Sequence, residues 1–366
     1  MTPLNGRPVD GIEAVSRACK AAKWCKSKAT GDGKFSVETW NGGGADPRTV
    51  WIEGATPTNK LDRLDDLLDK AGFFDDVQRA CKEKKTCRIA IKPNISVATF
   101  KEYKYYTDPG LVDHLVNRLN EMGYDDVVVV EADSFRSKPD VIARNIGFKT
   151  PVVNLTGEEK APVDVNGKSI NVSKRLLDAD FIVSMPIIKN HHTMLISGAL
   201  KAMYGTIPDR DKYGLYHLEE SGLNIQQATV AVNHATPVDF VIGDMIETQD
   251  GNEMPSLGWP SPSHFDANLL VAGRDPLAVD KVMERKMGYP ENASPIVKEE
   301  DDFRGHVPVE QIPIRGGTLD RIPGWKTVDP WYRSAFLLGQ SITGMIKKSG
   351  INFTLDAVEG VVPRNV

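Results

Sequence analysis

Four residues stand out for their chemistry: Lys189, His191, Lys201 and His217. The first three share one stretch, Leu176 to Gly205, which reads LLDADFIVSMPIIKNHHTMLISGALKAMYG. A lysine ammonium neutralises a carboxylate or phosphate, or stabilises negative charge developing in a transition state. An imidazole changes protonation near neutral pH and so can move a proton. These four are the candidate catalytic residues of an enzyme acting on a small anionic metabolite that bears a carboxylate or phosphate. Lys92, Asn94, Tyr204, Arg210 and Arg274 are the candidate substrate contacts.

The chain also carries ligand types for one divalent metal in His191, His192, His217, His264, Asp133, Asp244, Glu247 and Asp266. Asp133, Asp244 and His192 are the set expected to hold it. No HExxH pair is present, and the residues after Asp244 lack the repeated oxygen ligands of a calcium loop, so the cofactor is open between a divalent metal and none. GxGxxG, GxxxxGK[ST] and GxSxG are absent from the sequence. A dinucleotide fingerprint, a P-loop and a serine-esterase elbow are therefore unsupported.

The elements that would position these groups are apolar strands. CRIAIKPNI from Cys87 precedes Lys92 and Asn94, and DDVVVVEAD precedes Glu131 and Asp133. Phe181 to Met185 leads to Lys189 and His191, Val238 to Gly243 leads to Asp244, and Ala267 to Gly273 leads to Arg274 and Asp275. A run of four valines fits a strand covered on both faces, as in a parallel sheet. Between the first two strands Leu111, Leu115, Leu119 and Met122 share one helical face, Thr107 or Asp108 can cap it, and Pro109 suits its first turn. Strand, helix, strand in this order is a βαβ unit. If all these strands are parallel, their carboxyl ends share one edge and deliver the polar groups to one crevice.

The expected fold is α/β, three-layered, with a mainly parallel sheet, helices on both faces, and N- and C-terminal helical extensions. Residues 1–84 read as an N-terminal helical cover or small subdomain, 85–290 as the core, and 291–366 as a C-terminal extension packed on it. Helical spacing runs from Ile12 to Trp24 and from Lys60 to Ala71, and Trp331 to Ile346 reads as a helix. Asn166 and Gly167 predict a hairpin turn.

The 366 residues carry a net charge of −5, which argues against a nucleic-acid surface. No stretch approaches the eighteen apolar residues of a membrane span. The first residues, MTPLNGRPVDG, do not read as a signal peptide. Cys19, Cys25, Cys81 and Cys87 match neither a zinc knuckle nor a ferredoxin run; buried free thiols in a reducing, cytoplasmic setting are the expectation, with a cluster site or disulfides as alternatives.

Taken together, KPN at Lys92 to Asn94, PIIKNH at Pro186 to His191, SGALKAMYG at Ser197 to Gly205, His217, DMIE at Asp244 to Glu247 and GRDPLAVD at Gly273 to Asp280 form a specific pattern. Over Arg88 to Gly288 the chain resembles domain-of-unknown-function family three-six-two, a prokaryotic family some of whose members carry ferredoxin-type iron-sulfur modules. Two departures stand out. Ala202 occupies the position where the family usually has asparagine, and the ferredoxin cysteines are missing. The resemblance implies a shared site and brings no reaction with it. It also keeps open an alternative: an iron-sulfur or redox-associated accessory protein that binds a cofactor or a separate ferredoxin-like partner. The oligomeric state is open between monomer and homodimer.

Overall fold

The computed structural model describes residues 7–30, 33–95, 104–134, 138–210, 212–253 and 259–348. The outermost parts of both terminal segments, 1–6 and 349–366, lie outside these residues.

The chain starts with β1 (Arg7–Asp10), α1 (Gly11–Lys20), β2 (Trp24–Ala29) and β3 (Lys34–Trp40). The three strands form a small antiparallel sheet in the order β1-β3-β2. Residues expected to be turns and a helical cover are thus partly strand. Next come β4 (Val50–Gly54), α2 (Lys60–Ala71) and α3 (Phe73–Ala80), the latter two separated by Gly72 in the left-handed region at φ 71°. A βαβ unit follows as expected: β5 (Arg88–Pro93), α4 (Pro109–Glu121) and β6 (Asp126–Glu131). The Asp108 side chain accepts from the Gly110 and Leu111 N–H groups, and Pro109 opens the helix.

After α5 (Pro139–Ile146) and β7 (Val152–Asn154), β8 (Lys160–Val165) and β9 (Lys168–Ser173) form the predicted hairpin across Asn166 and Gly167, both at positive φ. Beyond α6 (Lys174–Leu177) lie β10 (Phe181–Met185), a second small hairpin of β11 (Lys189–His191) and β12 (Leu195–Ser197), and α7 (Ala199–Tyr204). The chain ends with α8 (Ile225–Ala235), β13 (Phe240–Asp250), β14 (Ser263–Gly273), α9 (Pro276–Lys286), α10 (Pro295–Arg304), β15 (Ile314–Arg315) and α11 (Pro330–Lys348).

Eight strands form the main sheet, in the order β15-β4-β14-β13-β10-β5-β6-β7. It is mainly parallel, and its buried strands β5 and β10 lie between two apolar layers, one containing Leu111, Leu115 and Phe73, the other Leu200, Met203 and Val279. The sheet recruits β4 from the N-terminal segment and β15 from the C-terminal one, so it runs through all three parts of the sequence.

One strand breaks the pattern. β14 runs antiparallel to both β13 and β4, and Gly273 at its end pairs with Val241 near the start of β13. Arg274 and Asp275 are therefore carried to the opposite edge from the ends of β5, β6 and β10. The cysteines also depart from expectation. Cys19 is bonded to Cys25 and Cys81 to Cys87, and no free cysteine is present among the described residues. Each pair spans the junction of a helix end and the start or approach of a strand, which brings two sulfurs together from residues only six apart.

Candidate functional site

The site is built on α7, held at both ends. At its start the buried carboxylate of Asp280, on α9, accepts from the Ala199 N–H at 2.7 Å and the Leu200 N–H at 2.9 Å. At its end Gly205 packs against an ion pair between Lys92 on β5 and Glu131 on β6; a β-carbon there would come 2.9 Å from Lys92 Nζ and overlap a Glu131 oxygen. Lys201 lies between these two anchors.

Four lysines share electrostatic contact with this region. Lys92, 1% exposed, donates to Glu131 at 2.8 Å and to the Pro93 carbonyl at 2.8 Å. Lys189, 4% exposed, pairs with Glu253, donates to the Asn190 carbonyl at 3.2 Å and lies 5.2 Å from the centre of the Tyr105 ring. Lys212 donates to the Gly205 carbonyl at 3.0 Å and lies over the Tyr204 ring. Lys201 alone of the four makes no hydrogen bond or ion pair among the described residues.

Burial brings the Lys201 ammonium down from its ordinary value to about 8; Glu253 opposes the shift, while Lys189 and Lys92 add to it. Lys212 is lowered to about 8 for the same first reason, with Glu131 opposing.

The histidines sit beside Lys201 in neutral form. Burial takes His191 well below its ordinary value and His217 down to about 3, and Lys201 pushes both further in that direction. Nδ1 of His191 faces the Thr193 and Met194 N–H groups at 3.3 and 3.2 Å, so it is the acceptor and Nε2 carries the proton. His217 Nδ1 accepts from Gln340 on α11 at 3.3 Å, and Tyr213 and Tyr204 flank its ring.

The Glu253 carboxylate joins Lys189 to His192, accepting from the His192 side chain and, at 3.0 Å, from its N–H. Burial alone would raise this carboxyl, but His191, Lys189 and His192 outweigh it and hold it well below the usual range. A neutral His191 supplies little of that pull, so the cation of Lys189 and the hydrogen bonds from His192 carry it.

Several expected residues are engaged in hydrogen bonds that tie elements of the fold together. Asp244 accepts from the Asp108 N–H at 2.9 Å and the Ile246 N–H at 3.2 Å, tying the start of α4 to β13. Asp133 accepts from Asn154 at 2.6 Å and Arg210 at 3.2 Å, and with Arg210 it lines an open cleft on the β7 side of the cluster. β10 and β5 intervene between the strands that carry Asp244 and Asp133. Asp133, Asp244 and His192 therefore do not form one metal site.

Among the described residues, the ligand atoms that do converge within 4.8 Å belong to His191, His192 and Glu253, with a second, more exposed group of Glu247, His264 and Asp266. In the first group the two imidazoles stack, with centroids 4.4 Å apart and planes at 19°. The in-plane lone pairs of the stacked rings lie in two separated, nearly parallel planes, whereas a tetrahedral metal needs them to meet at one point. The arrangement as built suits hydrogen bonding.

Arg274 is corrected as a substrate contact. It pairs with Asp76 and donates to the Ala71 carbonyl at 2.8 Å, at the far edge of the sheet. Asn94 and Tyr204 do reach the cluster's surroundings. Asn94 follows Pro93, and its buried Oδ1 has no hydrogen-bond partner among the described residues; the Tyr204 hydroxyl donates to the Lys212 carbonyl at 3.0 Å. The sequence reading passed over Lys212, Tyr105 and the pairing roles of Glu131 and Glu253. Lys212 had a signal, since it lies in the polar loop with Arg210, but Glu253 sits in a Gly/Pro/Ser-rich segment whose destination only the fold reveals.

Comparison with known proteins assigns the chain a family. A thylakoid-associated protein of Synechocystis sp. is 24% identical over 208 residues, covering 54% of this chain and 61% of the relative, so the chain spans less than two thirds of that protein. Among solved structures, the lactate racemase apoprotein from Thermoanaerobacterium thermosaccharolyticum aligns with a TM-score of 0.37 and 13% identity, over 60% of this chain and 55% of that one. The family model described as Domain of unknown function (DUF362) matches residues 89–285, which include β5, α7 with Lys201, and α9 with Asp280, and the chain belongs to that family.

Proposed function

We propose that the cluster around Lys201 binds a small anionic molecule bearing a carboxylate or phosphate and catalyses a polar transformation of it. One observation carries this reading: four lysines meet two glutamates, and the Lys201 ammonium is left without a partner among the described residues. Lys201 is half-buried, and a partly desolvated cation with no partner is costly, so an anionic ligand supplies the missing charge. Lys92 and Lys189 each have three N–H donors and use two of them within the protein, so each keeps one for the ligand. Lys201, at about 8 and without a partner among the described residues, is better matched to moving a proton than His191 or His217. The two neutral imidazoles then serve as hydrogen-bond donors to developing negative charge.

The test is calorimetric titration of the folded protein with oxalate and with inorganic phosphate. Binding of either that weakens about tenfold or more in Lys201→Met supports the reading. No binding of either, or identical binding by the variant, removes it. Native mass spectrometry of the protein as isolated would report a retained anion or metal directly.

The two disulfides favour an oxidising compartment over the cytoplasm expected from the sequence. No described helix is long and apolar enough to cross a membrane.

A further inference from the structure

We infer that Lys201 is a nucleophile that condenses with the carbonyl carbon of a 2-oxo acid, so that the anion held by this cluster is bound covalently as an imine. The inference rests on the anion-binding reading and adds to it the substrate class and the reacting atom.

The geometry separates Lys201 from its neighbours. Lys92 is fixed by Glu131 and the Pro93 carbonyl, Lys189 by Glu253 and the Asn190 carbonyl, and Lys212 by the Gly205 carbonyl. An ammonium engaged by a carboxylate, as in Lys92 and Lys189, has no lone pair to offer; Lys212, also brought down to about 8, is buried against the Gly205 carbonyl and the Tyr204 ring, whereas Lys201 is half-buried. Lys201 has no such partner among the described residues, and its helix is held by Asp280 at one end and packed on the Lys92–Glu131 pair at the other, so its stem is positioned. The groups acting on it electrostatically are Glu253, Lys189, Lys92 and Glu131, and it acts in turn on His191 and His217. Lys201 is half-buried, and a partly desolvated lysine next to other cations loses its proton more readily than an ordinary one and becomes nucleophilic. At about pH 8 the Lys201 amine is roughly half neutral, a fraction about a hundredfold larger than for an ordinary lysine.

A 2-oxo acid places its electrophilic carbon one bond from its carboxylate. The carboxylate can take the spare N–H donors of Lys92 and Lys189 while the carbonyl meets Lys201. In the step, the amine lone pair forms the C–N bond and the C=O π pair moves to oxygen. One proton passes from nitrogen to that oxygen to give the carbinolamine. A second leaves with it as the C–O bond breaks, releasing one water and leaving the C=N bond. Nothing is oxidised or reduced.

The experiment is reductive trapping on the full chain. Wild-type protein, Lys201→Met and Lys201→Arg are incubated with pyruvate or 2-oxoglutarate and cyanoborohydride at about pH 8, then analysed by intact mass and peptide mapping. The expected result is a single reduced adduct on Lys201, forming about a hundredfold faster than on the exposed surface lysines, not found on the buried Lys212, and absent from both variants. An adduct scattered over surface lysines, or one that persists in either variant, overturns the inference. No adduct while oxalate still binds overturns the imine and leaves the anion reading intact; no adduct and no oxalate binding removes both. Mapping the wild-type adduct settles the site even if Lys201→Met does not fold.

Discussion

A β-carbon on residue 198 would overlap the Oδ1 of Asp280, the atom that accepts the Ala199 N–H. Gly198 has an extended backbone at φ −135°, ψ −156°, so what requires glycine here is close approach and not a left-handed conformation. The contact joins α9 to the start of α7 and so sets where Lys201 stands. Gly198→Ala is expected to cost about 1–3 kcal/mol of stability through overpacking and to reduce reductive labelling of Lys201 even in the folded fraction. Urea unfolding monitored by circular dichroism, together with the trapping assay, checks both; full labelling in a stable variant would mean that α7 does not depend on this contact.

Burial raises the Asp280 carboxyl to about 7, against the pull of the Leu200 and Ala199 N–H groups. In the unfolded chain the same group titrates near its ordinary value of about 4. Between those values the folded state holds a proton that the unfolded state has lost, so this group's contribution to stability falls as pH rises from about 4 to about 7 and is level above that. Asp280→Asn removes the titration. The difference in unfolding free energy between wild type and variant should therefore move against wild type by a few kcal/mol, at roughly 1.4 kcal/mol per pH unit, across that window. A difference that stays constant with pH would show that Asp280 remains ionised in the fold.

Arg274 separates the two edges of the sheet experimentally. Its bonds to Asp76 and the Ala71 carbonyl hold β14's exit against α2 and α3. Arg274→Ala should lose about 1–3 kcal/mol of stability with no change in oxalate or phosphate affinity. Loss of affinity comparable to that in Lys201→Met would return Arg274 to the site.

The disulfides give a chemical prediction. Protein purified without reductant and unfolded in iodoacetamide should take up no label, and four labels only after reduction, one for each cysteine. Each bridge closes a loop between residues six apart, and reduction should cost about 2 kcal/mol per bridge in urea unfolding. Four labels before reduction would restore the free thiols expected from the sequence.

Local pattern carried much of the architecture. The helix over Lys60–Ala71, the turn at Asn166 and Gly167, the Asp108 cap before Pro109, the buried strands β5 and β10 and the half-buried β6 all follow from periodicity, turn chemistry and apolar runs within about a dozen residues. Lys92 lies within a strand that the sequence marks clearly and Lys189 shortly after one, whereas Lys201 falls on a short helix further along. The N-terminal strands were less legible because β2 and β3 are short and half polar.

What the sequence determined by itself is therefore the set of elements and the basic, imidazole-bearing character of the segments that follow them. Tertiary structure decided the direction of β14, which removes Arg274 from the site, because an apolar strand reads the same whichever way it runs. It also decided which carboxylate meets which cation. Glu253 reaches Lys189 across 64 positions and Asp280 reaches Ala199 across 81; such pairings depend on the three-dimensional path of the chain, and no local propensity encodes them.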